Sequence, residues 1–406
     1  MPARSTTLKD IKAARERIDD YIYYSPLAHS ETLSQISGAQ LYFKLENLQM
    51  TGSFKDRGAF NKVLQLDAAE RALGVVTASA GNHAQAVAYL AQRLRISATI
   101  AMPENAPLTK VANTRRHGAE VVLSGATYQD AYDKAVEIQQ QQGATFVHPF
   151  DDAEVIAGQG TIGLELLQQA PKLDAVVVPV GGGGLVSGIA VALKEQNPQI
   201  EIIGVEAAAF PSARLSLAQN RVVAAGQMAS LADGIAVKQV GDMPLSLMRR
   251  YVDEVVCVEE EEIARAILTL LEIEKTVAEG AGAVALAAIL KGKVKLAGKQ
   301  VAVIISGGNI DVNKLARIIE HGLVKDGRRI RLRVQVSDQP GSLQRVTAAI
   351  AEEMANVLEV YHERSLPGGP VDSTEIFFTL ETRGREHAEQ LIGRLAAQGF
   401  QLEEQR

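Results

Sequence analysis

The chain has 406 residues, and at about 100–200 residues per domain that length carries two or three domains with ample apolar core. Hydrophobic residues at 47% and charged residues at 22% exclude wholesale disorder, and 42 Lys+Arg against 48 Asp+Glu leave a net charge of -6 that offers nucleic acid no diffuse basic field. Met1 to Arg15 mix charged and polar side chains, and no stretch approaches the roughly 18 apolar residues of a membrane span. These features predict a cytoplasmic protein with neither a nucleic-acid nor a membrane partner. The single cysteine, Cys257, excludes an internal disulfide, and within Val255-Val256-Cys257-Val258 it is expected as a buried thiol.

Through about residue 320, short β-rich runs alternate with helical patterns, the order of parallel sheets covered by helices on both faces. In chain order the predicted elements are strand 41–45, helix 59–66, strand 74–78, helix 83–93, strands 98–102 and 119–123, and helices 128–141 and 161–169. Strands 175–180, 202–205 and 254–258, helix 261–273 and strand 301–305 follow. Most of the strands are largely apolar, as burial on both faces requires, and the helices return apolar residues near a 3.6 period.

The pattern changes after Leu323, where Lys325-Asp326-Gly327-Arg328-Arg329 reads as a polar linker spanning 324–329. Beyond it, Leu332, Val334 and Val336 alternate as a strand, Asp338-Gln339-Pro340-Gly341 turns, and a helix runs to about Met354. Strands 357–363 and 373–380, helix 386–397 and strand 400–402 complete a βαββαβ order, ferredoxin-like in layout. The expected organisation is an α/β body over 1–323 and a smaller domain over 330–406. Arg328, Arg329, Arg331 and Arg333 read as a solvated strand face or a domain contact, since 4% aromatics and no tryptophan leave little to stack on bases.

The most informative segment is Thr51-Gly52-Ser53-Phe54-Lys55-Asp56-Arg57-Gly58-Ala59, between a strand and a helix. A lysine just inside a helix N-terminus sits in positive potential, which favours its nucleophilic amine. Taken alone, Lys55 beside Asp56 reads as an ordinary solvated lysine. Support comes from Val178-Pro179-Val180-Gly181-Gly182-Gly183-Gly184-Leu185, an apolar strand running through four glycines into a helix, which is the design of a phosphate cradle. The G-x-G-x-x-G dinucleotide fingerprint is excluded because its third glycine falls on Val186 or Ser187, and no Lys-Ser or Lys-Thr follows to make a P-loop. A small phosphorylated cofactor is the expected ligand. Ser79-Ala80-Gly81-Asn82-His83 and Ser306-Gly307-Gly308-Asn309 interrupt two further strand–helix junctions. Each alone reads equally as a helix cap, but all four segments belong at the carboxyl ends of strands, where ligands bind in open α/β sheets.

Together with Lys44-Leu45-Glu46-Asn47, these segments resemble, in order and spacing over residues 5–320, the motif set of pyridoxal-phosphate enzymes of fold type II, and within it that of the threonine dehydratases (threonine ammonia-lyases). The tail, with Asp338-Gln339-Pro340-Gly341-Ser342-Leu343 at its first turn, resembles an ACT domain. The resemblance implies an α/β fold of two parallel-sheet subdomains, tryptophan synthase β-like, with the smaller (about 45–150) inserted in the larger, and an ACT-like regulatory domain. It implies pyridoxal 5'-phosphate as cofactor, joined to Lys55, with Asn82 at its 3-oxygen. Gly181, Gly182, Gly183, Gly184 and Leu185 would hold its phosphate, Ser306 would face its pyridine nitrogen, and Phe54 and Gly234 would lie against the ring. Ser79, Ala80, Gly81, Asn82 and His83 would form the substrate loop.

The implied reaction is β-elimination from L-threonine, and from L-serine, to a 2-oxo acid and ammonia. Ser306 favours elimination over amino transfer, because a neutral hydroxyl does not hold the pyridine nitrogen protonated as a carboxylate would. Ala80 stands where related serine racemases typically carry a proton-exchanging serine. Relatives also place a cation site at a glutamate followed six residues on by an acid; here Glu206 is followed by Ser212, so no metal is expected. His117 and His148 lack metal-ligand spacing. The resemblance further implies a homo-oligomer, dimer or tetramer, and an amino-acid effector at the ACT domain. A serine or hydroxyaspartate dehydratase, and a non-catalytic amino-acid sensor, are the alternatives.

Overall fold

Every strand expected before residue 320 forms, and two short ones join them. The strands are β1 (Leu27–Ser30), β2 (Gln40–Leu45), β3 (Val75–Ala78), β4 (Ala98–Met102), β5 (Glu120–Leu123), β6 (Thr145–Phe146), β7 (Ala175–Pro179), β8 (Glu201–Ala207), β9 (Glu254–Val258) and β10 (Gln300–Ile305). The computed structural model describes residues 5–225, 229–364 and 372–405. It divides into two units, Met1–Asp311 and Val312–Arg406.

In the first unit, a six-stranded sheet has the order β1-β2-β10-β7-β8-β9, parallel except for β1, and a four-stranded parallel sheet has the order β5-β4-β3-β6. The chain leaves the larger sheet after β2, builds the smaller, and returns at β7. The central β7 and β3 are buried at every residue, which is why they read as unbroken apolar runs. The edge strand β1 and the two-residue β6 escape periodicity because neither is long enough to display one. Cys257 corrects an expectation: it is half-buried, because β9 is an edge strand with only β8 beside it.

Two helices start earlier than their sequence pattern suggests. Helix Lys55–Val63 was expected from 59 and helix Ala153–Gln169 from 161. The early turns contain Gly58, Gly158 and Gly160, which read as weak helix formers but permit backbone contact between helices. A Cβ on Gly158 would sit 2.4 Å from Arg57 O, and one on Gly188 2.4 Å from Ile156 O. Helix Ala153–Gln169 therefore seats helix Lys55–Val63 on one side and helix Gly184–Lys194 on the other. Those two neighbours carry Lys55 and the glycine loop at their N-termini.

The second unit contains helix Val312–Lys325, then β11 (Arg329–Ser337), helix Ser342–Glu352, β12 (Asn356–Glu363), β13 (Ser373–Glu381), helix Arg385–Ala397 and β14 (Gln401–Gln405). The antiparallel order β12-β13-β11-β14 is the ferredoxin-like layout. Ile330, Leu332, Val334 and Val336 turn one face to a core shared with Phe378, Ile350 and Leu391. Residues 324–329, read from sequence as a linker, are instead the end of a helix, a turn and the start of β11, and helix Val312–Lys325 groups with the second unit. On the open face Arg333 pairs with Glu375 and Glu403, and Arg329 with Glu320, so this part of the arginine cluster is a solvated, neutralised surface.

Candidate active site

Four loops following the carboxyl ends of β2, β3, β7 and β10 carry the predicted residues except Gly234, which lies in the turn Asp233–Ile235 between β8 and β9. Lys55 opens its helix behind Phe54, whose N–H donates to Ser306 O at 3.0 Å, and Ser53 bridges Gly307. The loop after β10 is thereby tied to the lysine, with Ser306 buried beneath it.

Lys55 Nζ donates to Pro149 O at 2.7 Å and lies 5.1 Å from the centre of the Phe54 ring. Burial lowers its pKa to about 8, against the opposing pull of Glu279. Two histidines face it in neutral form. Burial, then Lys55, lowers His83 to about 3, and burial lowers His148 to about 4. His148 Nδ1 accepts the N–H groups of Phe150 and Asp151, so it shapes the turn that presents Pro149 O to the lysine. This assigns His148 a structural role. His83 Nε2 pairs with Val147 O at 2.9 Å, which leaves its buried Nδ1 as an acceptor with no partner among the described residues.

The same turn packs on the glycine loop. A Cβ on Gly182 would lie 2.2 Å from the Phe150 ring, and Gly183 adopts φ +90° at the helix cap position, so neither tolerates a side chain. Among the described residues, the N–H groups of Gly181 to Leu185 donate to no protein acceptor, and they open helix Gly184–Lys194. Leu185 buries its side chain in the core and contributes only its amide. A ring of unused amides at a helix N-terminus fits a phosphate dianion, and a lysine of depressed pKa beside it fits an aldehyde. These residues fit pyridoxal 5'-phosphate.

Asn82 begins helix Asn82–Leu94 and donates through Nδ2 to Glu279 Oε1 at 2.6 Å, while its Oδ1 accepts from Asn309 Nδ2 at 2.9 Å. Gly234 also approaches Glu279, where a Cβ would come within 3.3 Å of Oε1. Ser79 donates its N–H to Ala101 O and accepts the Gly81 N–H on its hydroxyl, and the space a Gly81 side chain would take is open. Ala80 is half-buried. These contacts thus join the predicted residues into one cluster of the first unit. Sequence reasoning missed Glu279, Pro149 and Phe150. A carboxylate ahead of a glycine-alanine run carries no signal of its own, and a backbone carbonyl carries none at all.

On the same helix as Lys55 starts a second missed feature. Arg57 forks onto Glu46 (Nε–Oε2 2.7 Å, Nη2–Oε1 2.8 Å) and onto Glu165 (Nη1–Oε1 2.7 Å), and Lys44 joins Glu165, all four side chains fully buried. Arg15 Nη1 approaches Glu165 Oε1 at 3.5 Å as a third cation, and the network fastens helix Lys55–Val63 to the turn after β2 and to helix Ala153–Gln169. Glu206 accepts the N–H groups of Ala213 (2.7 Å) and Arg214 (2.9 Å), and burial pushes its carboxyl up to about 7.

Fold and site together define a pyridoxal-phosphate dependent enzyme, and the chain belongs to that family, whose model matches residues 18–307. It is similar to the L-threonine ammonia-lyase of Thermotoga maritima, 51% identical over 396 residues, which covers 98% of each chain. Solved relatives include threonine deaminase isoform 2 from Solanum lycopersicum (TM-score 0.73, 39% identical, 77% of this chain and 91% of that one). Maize serine racemase is another (TM-score 0.75, 35% identical, 79% and 99%).

Proposed function

We propose that this chain is a threonine ammonia-lyase, converting L-threonine to 2-oxobutanoate and ammonia and also L-serine to pyruvate. The observation that carries this reading is the half-buried Lys55, with its pKa lowered to about 8, beside a cradle of unused backbone amides. Near-full-length similarity to a protein named L-threonine ammonia-lyase supports the choice of substrate.

Pyridoxal 5'-phosphate, when bound, supplies a conjugated ring that takes up the electron pair left on the substrate's α-carbon. The amides of Gly181 to Leu185 would hold its phosphate, Asn82 would donate to the 3-oxygen, Ser306 would serve the pyridine nitrogen, and Phe54 and Gly234 would lie against the ring. Lys55, once its Nζ is free, is the base for the α-proton; a pKa near 8 leaves a useful fraction of amine at neutral pH, which an exposed lysine lacks. Ser79, Gly81 and the start of helix Asn82–Leu94 receive the substrate carboxylate, where Gly81 leaves open space. A hydroxyl at Ser306 cannot hold a proton on the ring nitrogen as a carboxylate would, which favours prompt elimination over amino transfer. Ala80 has no proton to exchange on the opposite face, which disfavours racemisation.

Incubation of the holoenzyme with each amino acid tests the reading. The expected products are 2-oxobutanoate from L-threonine and pyruvate from L-serine, with Lys55→Ala losing at least about 10³-fold in turnover. Pyruvate without 2-oxobutanoate would transfer the assignment to a serine dehydratase.

Residues 330–406 form the regulatory part of this reading, an ACT-like amino-acid sensor. Supporting it is a cavity of about 250 Å³ between the Asp338-Gln339-Pro340-Gly341 turn and His362, Arg364 and Thr374. A homo-oligomer, dimer or tetramer, in the cytoplasm completes the reading. Tyr23, Tyr24 and Leu48 stand about half exposed near one another, with Gln49 bonded to the Tyr23 backbone, and offer an apolar assembly surface.

A further inference from the structure

We infer that Glu279 and Asn309 are positioning residues that clamp the Asn82 amide so that one of its N–H bonds is presented to the cofactor's 3-oxygen. This rests on the placement of Asn82 proposed above.

Glu279 stands at the cap position of helix Gly280–Leu290, yet its side chain makes no cap bond to that helix. It turns instead to Asn82, 5% exposed, and accepts Asn82 Nδ2 at 2.6 Å. Asn309 uses Nδ2 twice, to Thr51 O at 2.7 Å and to Asn82 Oδ1 at 2.9 Å. Its amide orientation is therefore settled by two acceptors, and it settles that of Asn82 in turn. Flipping Asn82 would set its oxygen against the carboxylate and its NH₂ against another NH₂. With one Nδ2 hydrogen on Glu279, the other remains for a ligand.

The backbone is shaped for this contact. A Cβ on Gly307 would fall 2.5 Å from Glu279 Oε1 and 3.2 Å from Asn82 Nδ2, so glycine at 307 keeps the path between them open. A Cβ on Gly282 would meet Gly307 O at 2.4 Å, and the Glu279 N–H donates to that same oxygen at 3.0 Å, which locks the helix start against the loop. Lys55 is faced by Glu279, His83 and His148 from three different elements, and only Glu279 is anionic there.

The absorption spectrum of the holoenzyme tests the clamp. A donor at the 3-oxygen stabilises the ionised phenol of bound pyridoxal 5'-phosphate, which absorbs in the visible, over the neutral phenol, which absorbs in the near ultraviolet. Asn82→Ala and Glu279→Ala should each lower the visible-to-ultraviolet ratio and weaken cofactor retention roughly tenfold. The double variant should be no worse than Asn82→Ala, because both act through one amide. Glu279→Gln retains an acceptor and should stay within about twofold of the parent. A parental spectrum for Glu279→Ala, or a double variant whose loss is the product of the single losses, overturns the inference. If Glu279→Ala does not fold, Glu279→Gln decides, since a loss as large as that of Asn82→Ala also overturns it. A silent Asn82→Ala would instead remove the placement of Asn82 itself, and the inference with it.

Discussion

Burial acts on Lys55 and Glu206 by the same physics and to different ends. Each loses the water that stabilises its charge, so the lysine falls to about 8 and the carboxyl rises to about 7. For Lys55 the shift yields an amine able to react, whereas for Glu206 it yields a dependence of stability on pH. The Glu206 carboxyl binds its proton more tightly folded than unfolded, so its stabilisation is full below pH 4.5 and is lost as pH rises through about 7. Urea titrations across that window should show wild-type protein losing on the order of 3 kcal/mol that Glu206→Gln does not lose. Arg57 is the opposite case, a charge fully paired in the interior. Arg57→Ala strands Glu46 without its paired cation and leaves Glu165 to Lys44 and Arg15, and should cost about 3–5 kcal/mol in the urea transition of the first unit. Lys55 was legible because its neighbours in sequence place it at a helix start after a strand. Glu279 was not, since a carboxylate before a helix reads as a cap, and only the fold shows it leaving that duty for Asn82.

At the scale of elements, three helices hold the chemistry in register, and their contacts are made by backbone. Gly188→Ala would drive a methyl to 2.4 Å from Ile156 O and 2.6 Å from Gly160 N. The expected cost is about 1–3 kcal/mol of stability, read by thermal unfolding, because neither backbone atom can move aside cheaply. Gly182→Ala would instead press on the Phe150 ring at 2.2 Å, and through it on the Pro149 carbonyl that holds Lys55. Cofactor binding should weaken at least about tenfold, or about 1.4 kcal/mol, when pyridoxal 5'-phosphate is titrated into cofactor-free protein. The same glycines explain where the helix boundaries were misread. Propensity counts glycine against a helix, and that rule gives way where a neighbouring helix occupies the space a side chain would need.

For the whole molecule, the division at Asp311 and Val312 separates two units with their own cores. The loops that carry Lys55, Asn82, the glycine run and Ser306 all lie in the first and the cavity beside the Asp338-Gln339-Pro340-Gly341 turn lies in the second. A chain ending at Asp311 should therefore retain turnover of L-threonine within a fewfold while losing any response of the rate to added amino acids, as steady-state assays with isoleucine or valine would read. An unchanged response in the shortened chain would remove the regulatory role from the second unit.

Local pattern alone determined the strands of the first unit other than β1 and β6, the βαββαβ tail and the four polar loops at strand ends, because burial on both faces, alternation and glycine-rich turns each leave a mark within a few consecutive residues. Tertiary structure alone decided that Glu279 reaches Asn82 across 197 positions of chain, that Pro149 O holds Lys55, and that Arg57 gathers Glu46 and Glu165. Those are pairings between distant segments. Their energy depends on a distance of a few ångströms in space, and no local periodicity records it.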